Sequence, residues 1–212
     1  MERPVVVFDL DDTLFPEMDY VRSAYREIAR RFGRQYLPAM LAADSPRAAF
    51  DSTGLPVGEL LDIYRTHFPD ISLPWQSLYT LAALTCGGFP LALVTDGRSL
   101  TQRHKIEALR LDRFIPDDLV FISEEVGSDK LSGESFRRIM SVFGNSRNYF
   151  YVGDNPEKDF VRGNELGWTT VCLLGGADGH GLFCQDFMKF PEENRPKIII
   201  HQLTELLKIV NL

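Results

Sequence analysis

Short runs of apolar, β-forming residues recur along the chain and alternate with segments of helical spacing. The first run, VVVF at residues 5–8, is wholly apolar, as in a strand buried on both faces of a parallel sheet. Similar runs predict six strands, at residues 5–8, 91–95, 119–123, 149–153, 169–174 and 197–200. Helical spacing follows at residues 100–109, 136–143, 160–166 and 203–210. This alternation predicts an α/β fold with right-handed crossovers and a doubly wound, mostly parallel, Rossmann-like sheet.

One long interval interrupts the alternation because it contains no recognisable strand. Within it, apolar residues recur at i, i+3 and i+4 from Met18 to Phe32 and predict a helix that Gly33 could end. We therefore predict an all-helical insert at residues 16–87 within a core made of residues 1–15 and 88–212. Because the insert follows the first strand and precedes the second, we expect it to cover the strand ends. The alternative is that these helices pack on a face of the sheet.

Polar groups follow four of the predicted strands. Three carboxylates, Asp9, Asp11 and Asp12, come directly after the first. Unpaired charges at the end of a buried strand cost several kcal/mol in order of magnitude unless a cation or a proton compensates them. The groups after later strands are Thr95, Asp96, Gly97, Lys130, Asp154 and Asp159. Each alone is an ordinary turn or cap residue, but the carboxyl ends of parallel strands share one edge, where doubly wound sheets bind ligands.

Four motifs in this order resemble the haloacid dehalogenase superfamily, specifically its phosphatase branch. They are DLDDT at 9–13, TDG at 95–97, Lys130 in GSDKLSGESF, and GDNPEKD at 153–159. The resemblance extends over roughly residues 5–175, and the closing KIIIHQLTELL is similar to the family's last strand and helix. The insert resembles the helical cap that the family places between its first and second motifs. The chain departs from the pattern at Leu131, where a proline commonly follows the lysine.

The resemblance implies a Mg²⁺-dependent phosphomonoester hydrolase that forms an aspartyl-phosphate intermediate. Its substrate would be a small phosphorylated metabolite, either a nucleoside monophosphate or a sugar phosphate. Asp9 would be the nucleophile, Asp11 the general acid and base, and Lys130 the cation that offsets the charge of Asp9 and the phosphoryl group. Carboxylate and carbonyl oxygens suit Mg²⁺.

The remaining site residues follow from the same resemblance. The Mg²⁺ ligands would be Asp9, the backbone carbonyl of Asp11, and Asp154. The phosphate would be held by Thr95, Asp96 and Gly97. Asp159 would orient Lys130 or a metal-bound water. Arg98, one step beyond the phosphate loop, either contacts a second anionic group of the substrate or is a solvated surface residue.

Other functions on a similar scaffold stay open to different degrees. A phosphomutase would use the same core, and a catalytically silent binding protein would keep the same fold. A receiver-type signalling module is disfavoured because it has neither the large insert nor a threonine two residues after Asp11. Dehalogenation is disfavoured because those relatives lack the second aspartate that Asp11 supplies.

The composition of the chain limits the classes of partner that we expect it to bind and the compartment in which we expect it. The net charge of −7 disfavours nucleic acid polymers and anionic membranes. No apolar run is long enough to cross a bilayer and no secretory signal precedes the first strand, so we expect a cytoplasmic monomer or homodimer that binds a small molecule. The three cysteines and four histidines show no metal or disulfide spacing. The glycine-rich loop at 175–181 is a candidate border of the site.

Overall fold

In a computed structural model of the chain, which describes residues 2–177 and 187–212, six parallel strands form one sheet. The strands are β1 (Val5–Phe8), β2 (Leu91–Thr95), β3 (Val120–Ile122), β4 (Tyr149–Gly153), β5 (Thr169–Leu173) and β6 (Ile198–Ile200). Their order across the sheet is β3-β2-β1-β4-β5-β6. All four residues of β1 are completely buried, as their apolar character requires at the centre of a sheet covered on both faces. The predicted α/β fold with a doubly wound parallel sheet is therefore confirmed.

Ten α-helices accompany the strands in the described part of the chain. They are α1 (Glu17–Phe32), α2 (Leu37–Leu41), α3 (Pro46–Asp51), α4 (Val57–Thr66), α5 (Trp75–Cys86), α6 (Ser99–Ala108), α7 (Ser123–Val126), α8 (Glu134–Phe143), α9 (Val161–Glu165) and α10 (Leu206–Ile209). None of the described helices combines the length and the apolarity that a bilayer crossing requires.

Chain contacts divide the described residues into two units. The first comprises Met1–Pro16, Leu73–Ser99 and Leu111–Leu212, and it contains the whole sheet. The second comprises Glu17–Ser72 and Leu100–Arg110. The sequence placed the boundaries of the insert at residues 16 and 87. In the structure α5 goes with the sheet, since it packs against α10, while residues 100–110 go with the helical unit.

The first unit has an aromatic layer on one face of the sheet. The Phe136 ring of α8 lies 5.0 Å from the rings of both Tyr151 and Trp168, measured between centroids. The Tyr149 and Trp168 rings are stacked at 4.6 Å. Aromatic pairs at these separations add to the stability that burial provides. They fix α8 against β4, the strand that ends at Gly153, directly before Asp154.

The second unit has its own hydrophobic core. The inner face of α1 contributes Val21, Tyr25 and Ile28, and α2, α3 and α4 pack against it. Residues of the segment 100–110 bind to the end of α4: the Thr101 hydroxyl donates to the Arg65 carbonyl at 3.0 Å. Such hydrogen bonds and the burial of the segment explain why it belongs to the helical unit.

Candidate active site

The central strands deliver the predicted acidic residues to one edge of the sheet. Asp9 directly follows β1, and its backbone N–H donates to the Val152 carbonyl at 2.9 Å, so the pairing of β1 with β4 continues into the acidic turn. Asp154 directly follows β4. Both side chains are buried. Because β1 and β4 are parallel neighbours, their carboxyl ends place the two carboxylates side by side.

Lys130 lies between two of these carboxylates. Its Nζ is 2.7 Å from Asp9 Oδ1 and 2.7 Å from Asp159 Oδ1, and its side chain is 1% exposed. Its backbone N–H donates to Asp96 Oδ1 at 3.1 Å. The lysine therefore joins the segments that follow β1, β2 and β4, and the structure brings together one residue from each of the four sequence motifs.

Asp159 organises the site through both of its carboxylate oxygens. Oδ1 accepts from Lys130 and, at 3.4 Å, from the Tyr151 hydroxyl. Oδ2 accepts from the backbone N–H groups of Asp154 at 3.2 Å and Asn155 at 2.8 Å. A carboxylate that accepts several hydrogen bonds holds its donors in a defined geometry. Asp159 thus fixes the turn after β4 and the position of the Lys130 ammonium.

Gly153 makes room for this arrangement. A Cβ atom at this position would lie 2.5 Å from Asp159 Oδ2 and 2.8 Å from its Cγ, closer than nonbonded atoms approach. The last residue of β4 must therefore be glycine for the Asp159 carboxylate to reach the backbone of Asp154. Close packing against Asp159 therefore explains why the GDNPEKD motif begins with glycine.

The three buried carboxylates make a site that suits a divalent cation. Asp9, Asp154 and Asp159 each present an oxygen, and these oxygens lie within 4.8 Å of one another. Burial raises the pKa of Asp9 to about 7 although Lys130 opposes the change, and burial with the charges of Asp159 and Asp9 raises the pKa of Asp154 to about 8. Burial by itself lowers the pKa of Lys130, but Asp159 and Asp9 outweigh it and hold that pKa well above its ordinary value.

The net charge of this carboxylate cluster and the chemistry of its donor atoms indicate whether it could hold Mg²⁺. With all three carboxylates ionised, the single Lys130 ammonium leaves two negative charges uncompensated in a buried site. One divalent cation would neutralise them, and an all-oxygen donor set is what Mg²⁺ prefers. The residues present therefore fit a magnesium ion.

The end of β2 and the segment after it carry the three residues that the sequence predicted to bind phosphate. Thr95 is buried, and Gly97 adopts a φ of 149°, a conformation that favours glycine. The Gly97 N–H donates to the Ser123 hydroxyl at 2.9 Å. This hydrogen bond occupies the Gly97 amide, for which the sequence predicted a phosphate contact.

The other predicted residues lie around this edge. Asp11 is half-buried and its backbone bridges to Phe15, while Asp12 has a left-handed φ of 54°. The Asp12 carbonyl accepts from the Ala177 N–H at 2.6 Å, so the start of the glycine-rich loop touches the acidic turn. The rest of that loop, with His180, and also Cys184, lies outside the described residues. Arg98 is exposed.

Sequence reasoning missed several residues that the structure places beside the site. Tyr151 donates to Asp159, and Ser123, Glu124 and Glu125 bind the segment from Gly97 to Ser99. The available signal was the polar run SEE directly after the apolar run of β3. That run resembles an ordinary helix start, and only its contacts distinguish it.

Comparison with known proteins agrees with this geometry. A sequence profile of the haloacid dehalogenase-like hydrolases matches residues 6–173. The chain belongs to this family. Its structure is similar to that of the HAD-hydrolase YfnB from Bacillus subtilis bound to magnesium, with a TM-score of 0.71, 19% identity and complete coverage of both chains. The HAD phosphatase from Thermococcus onnurineus has a TM-score of 0.63 at 22% identity, covering 98% of this chain and 97% of the other.

The sequence similarity to curated relatives covers almost the whole chain. The glyceraldehyde 3-phosphate phosphatase of Methanocaldococcus jannaschii is 27% identical, covering 97% of this chain and 96% of its own. The enzyme of the same name from Methanopyrus kandleri is 25% identical with the same coverage. The predicted family and enzyme class, a phosphatase of the haloacid dehalogenase type, are therefore confirmed.

Proposed function

We propose that this phosphatase hydrolyses the phosphomonoester of a small sugar phosphate, of the glyceraldehyde 3-phosphate class, with Mg²⁺ and through an aspartyl-phosphate intermediate. The observation that carries the mechanism is the contact of Lys130 with Asp9, which lies beside Asp154 in a buried carboxylate cluster. The activity named for the full-length relatives supports the substrate class. Nucleoside monophosphates are the alternative substrate class, and their hydrolysis should be compared with that of the sugar phosphate.

Asp9 is the proposed nucleophile. Within the described residues, both of its hydrogen-bond donors, Leu10 N–H and Lys130 Nζ, reach the same oxygen, Oδ1, at 2.7 Å. Oδ2 is therefore the oxygen that attacks phosphorus. As the Oδ2–P bond forms, the bond from phosphorus to the leaving oxygen breaks, and the phosphoryl group is transferred to Asp9.

Asp11 supplies and recovers the proton. It protonates the leaving alkoxide in the first step, which releases the dephosphorylated product as an alcohol. In the second step it accepts a proton from the water that attacks the phosphoryl group. The Oδ2–P bond then breaks, inorganic phosphate is released, and Asp9 and Asp11 return to their starting states.

Asp9, Asp154 and the Asp11 backbone carbonyl are the proposed Mg²⁺ ligands. When bound, the ion supplies positive charge that permits a phosphate dianion to approach the carboxylates. Asp159 has both oxygens engaged by protein donors, so its proposed role is to position Lys130. Lys130 stabilises the negative charge on Asp9 and on the transferred group.

The loop after β2 is proposed to bind the phosphate oxygens of the substrate. The proposed donors are the Thr95 hydroxyl and the backbone amide of Asp96, while the Gly97 amide, the third predicted donor, is hydrogen-bonded to Ser123. Arg98 is proposed to contact a second anionic group of the substrate, if one is present. Truncation to alanine should then raise KM for a doubly anionic substrate and leave that for an aryl phosphate unchanged.

The test is a phosphate-release assay on the purified protein with a panel of esters. Glyceraldehyde 3-phosphate, a nucleoside monophosphate and an aryl phosphate are compared with Mg²⁺ and with excess chelator. We expect the sugar phosphate to have the highest kcat/KM, activity to require Mg²⁺, and Asp9→Asn to abolish turnover. Asp62→Asn, a change at an exposed aspartate of α4, is the matched control. Full activity in chelator would refute the metal requirement, and an active Asp9→Asn variant would refute the nucleophile.

A further inference from the structure

The phosphate loop has a second set of protein contacts on the side of β3. Three donors of the loop reach three consecutive residues of the neighbouring segment. The Gly97 N–H donates to Ser123 Oγ at 2.9 Å, the Ser99 N–H donates to Glu124 Oε2 at 2.7 Å, and the Ser99 hydroxyl donates to Glu125 Oε1 at 2.6 Å. The Ser123 hydroxyl also contacts the Gly97 carbonyl at 3.4 Å.

These contacts act on the first residue of α6. The first N–H groups of a helix have no partner within the helix, and a side-chain acceptor at this end is stabilising. Ser99 begins α6, and the Glu124 carboxylate accepts its N–H. The negative charge of a carboxylate is also favourable at the N-terminal end of the helix dipole. The loop therefore has a fixed exit at Ser99 as well as a fixed entry at the end of β2.

The two ends determine where the phosphate donors lie. Between Thr95, the last residue of β2, and Ser99 only three residues intervene, and the Gly97 peptide is held by Ser123 through its N–H. Loss of the Ser99 contacts would release the end of the loop at Ser99, and loss of the Ser123 contact would let the Gly97 peptide rotate. Either change would move the adjacent Asp96 amide away from a bound phosphate.

We propose that Ser123, Glu124 and Glu125 are positioning residues for the phosphate-binding loop at residues 95–99, acting as hydrogen-bond acceptors for Gly97 and Ser99. They do not touch the reacting atoms. The inference rests on the proposed phosphatase mechanism, in which this loop binds the transferred phosphoryl group.

The test compares truncation with isosteric replacement in the full chain. For Glu124→Ala combined with Glu125→Ala we expect kcat/KM for an aryl phosphate to fall about ten- to hundredfold, the range that a small misplacement of a binding group causes. The inhibition constant of inorganic phosphate should rise with KM. Glu124→Gln combined with Glu125→Gln keeps an oxygen acceptor at each position and should recover most of the loss. Glu192→Ala, at an exposed glutamate far along the chain, should leave the kinetics unchanged.

A single substitution adds a test that does not depend on folding of the double variants. Ser123→Ala removes the acceptor of the Gly97 N–H and should also raise the inhibition constant of phosphate. If Ser123 merely competes with phosphate for that amide, the inhibition constant will fall instead, and this result would overturn the proposal. So would wild-type kinetics in the alanine double variant, or glutamine variants as impaired as the alanine ones. A wild-type protein without any phosphatase activity would instead refute the proposed function itself.

Discussion

Lys130 Nζ lies 2.7 Å from Asp159 Oδ1, and both side chains are almost completely buried. The two residues come from segments that follow different strands, so their ion pair links the turn after β4 to the segment after β3. The same ammonium lies 2.7 Å from Asp9 Oδ1. Replacing a whole buried ion pair by apolar groups can be neutral, whereas removing one partner leaves an uncompensated charge inside the protein. This lysine therefore stabilises the fold and lies where the proposed chemistry requires it.

Lys130→Met should abolish activity and destabilise the protein. The methionine fills similar space but leaves two buried carboxylates without their cation, and the expected loss in free energy of unfolding is about 3–5 kcal/mol at pH 8. The loss should be smaller at pH 5, where Asp9 can be neutralised by a proton. Urea unfolding at both pH values measures it. Lys208→Met, at an exposed lysine, is the control and should change stability by less than about 0.5 kcal/mol. Equal stability of the two variants at pH 8 would contradict the prediction.

Gly153→Ala should displace Asp159 and impair the site. The added Cβ would meet Asp159 Oδ2 at 2.5 Å, and overpacking of a buried position typically costs about 1–3 kcal/mol. Thermal unfolding and phosphate release measure the two effects. Gly58→Ala in the first turn of α4 is a matched control, because its added Cβ would meet no neighbouring atom within 4 Å. The control should leave stability and activity nearly unchanged, and a Gly153→Ala variant with unchanged stability and activity would rule out the packing role.

The stability of the metal-free protein should fall as pH rises from about 6.5 to 8.5. The pKa of Asp9 is raised to about 7 and that of Asp154 to about 8, so in this window the folded protein binds more protons than the unfolded chain. The stabilising contribution of these two carboxyl groups therefore decreases with increasing pH, and it is lost once pH has passed the folded-state pKa values of about 7 and 8.

Urea unfolding at several pH values in excess chelator checks this dependence. Asp154→Asn removes one of the two groups and should flatten the curve. Saturating Mg²⁺ should weaken or reverse it, because the ion binds the ionised carboxylates. A metal-free stability that increases between pH 6.5 and 8.5 in the wild-type protein would contradict the raised pKa values.

Asp11→Asn should slow the chemical step in a way that depends on the leaving group. General acid and base catalysis typically contributes about 10²–10⁴-fold, and asparagine can neither give nor take the proton. The loss in kcat should be large for an alkyl phosphate and smaller for an aryl phosphate with an acidic leaving group, while KM changes little. Steady-state kinetics with both esters decides. Equal losses for the two would show that Asp11 acts in another way.

Much of the sheet was predictable because its strands are buried on both faces. The predicted runs at 5–8, 91–95 and 149–153 coincide with β1, β2 and β4, and the other three strands differ by one residue at one or both ends. A strand covered on both sides must be apolar throughout, and such a run is visible in the sequence. Because the acidic motifs directly follow these apolar runs, their positions at strand ends could also be predicted from the sequence.

The amino-acid sequence by itself determined the parallel sheet and the family, through its buried runs and the motifs that contain Asp9, Thr95, Lys130 and Asp154. Only the tertiary structure decided which of these groups touch: that Lys130 bridges Asp9 and Asp159, and that Ser123 holds Gly97. It also decided that residues 100–110 belong with the helical unit. These contacts join residues far apart in the chain, and local periodicity carries no information about which distant side chains meet. They depend on strand order, turn geometry and packing, which exist only once the sheet has formed.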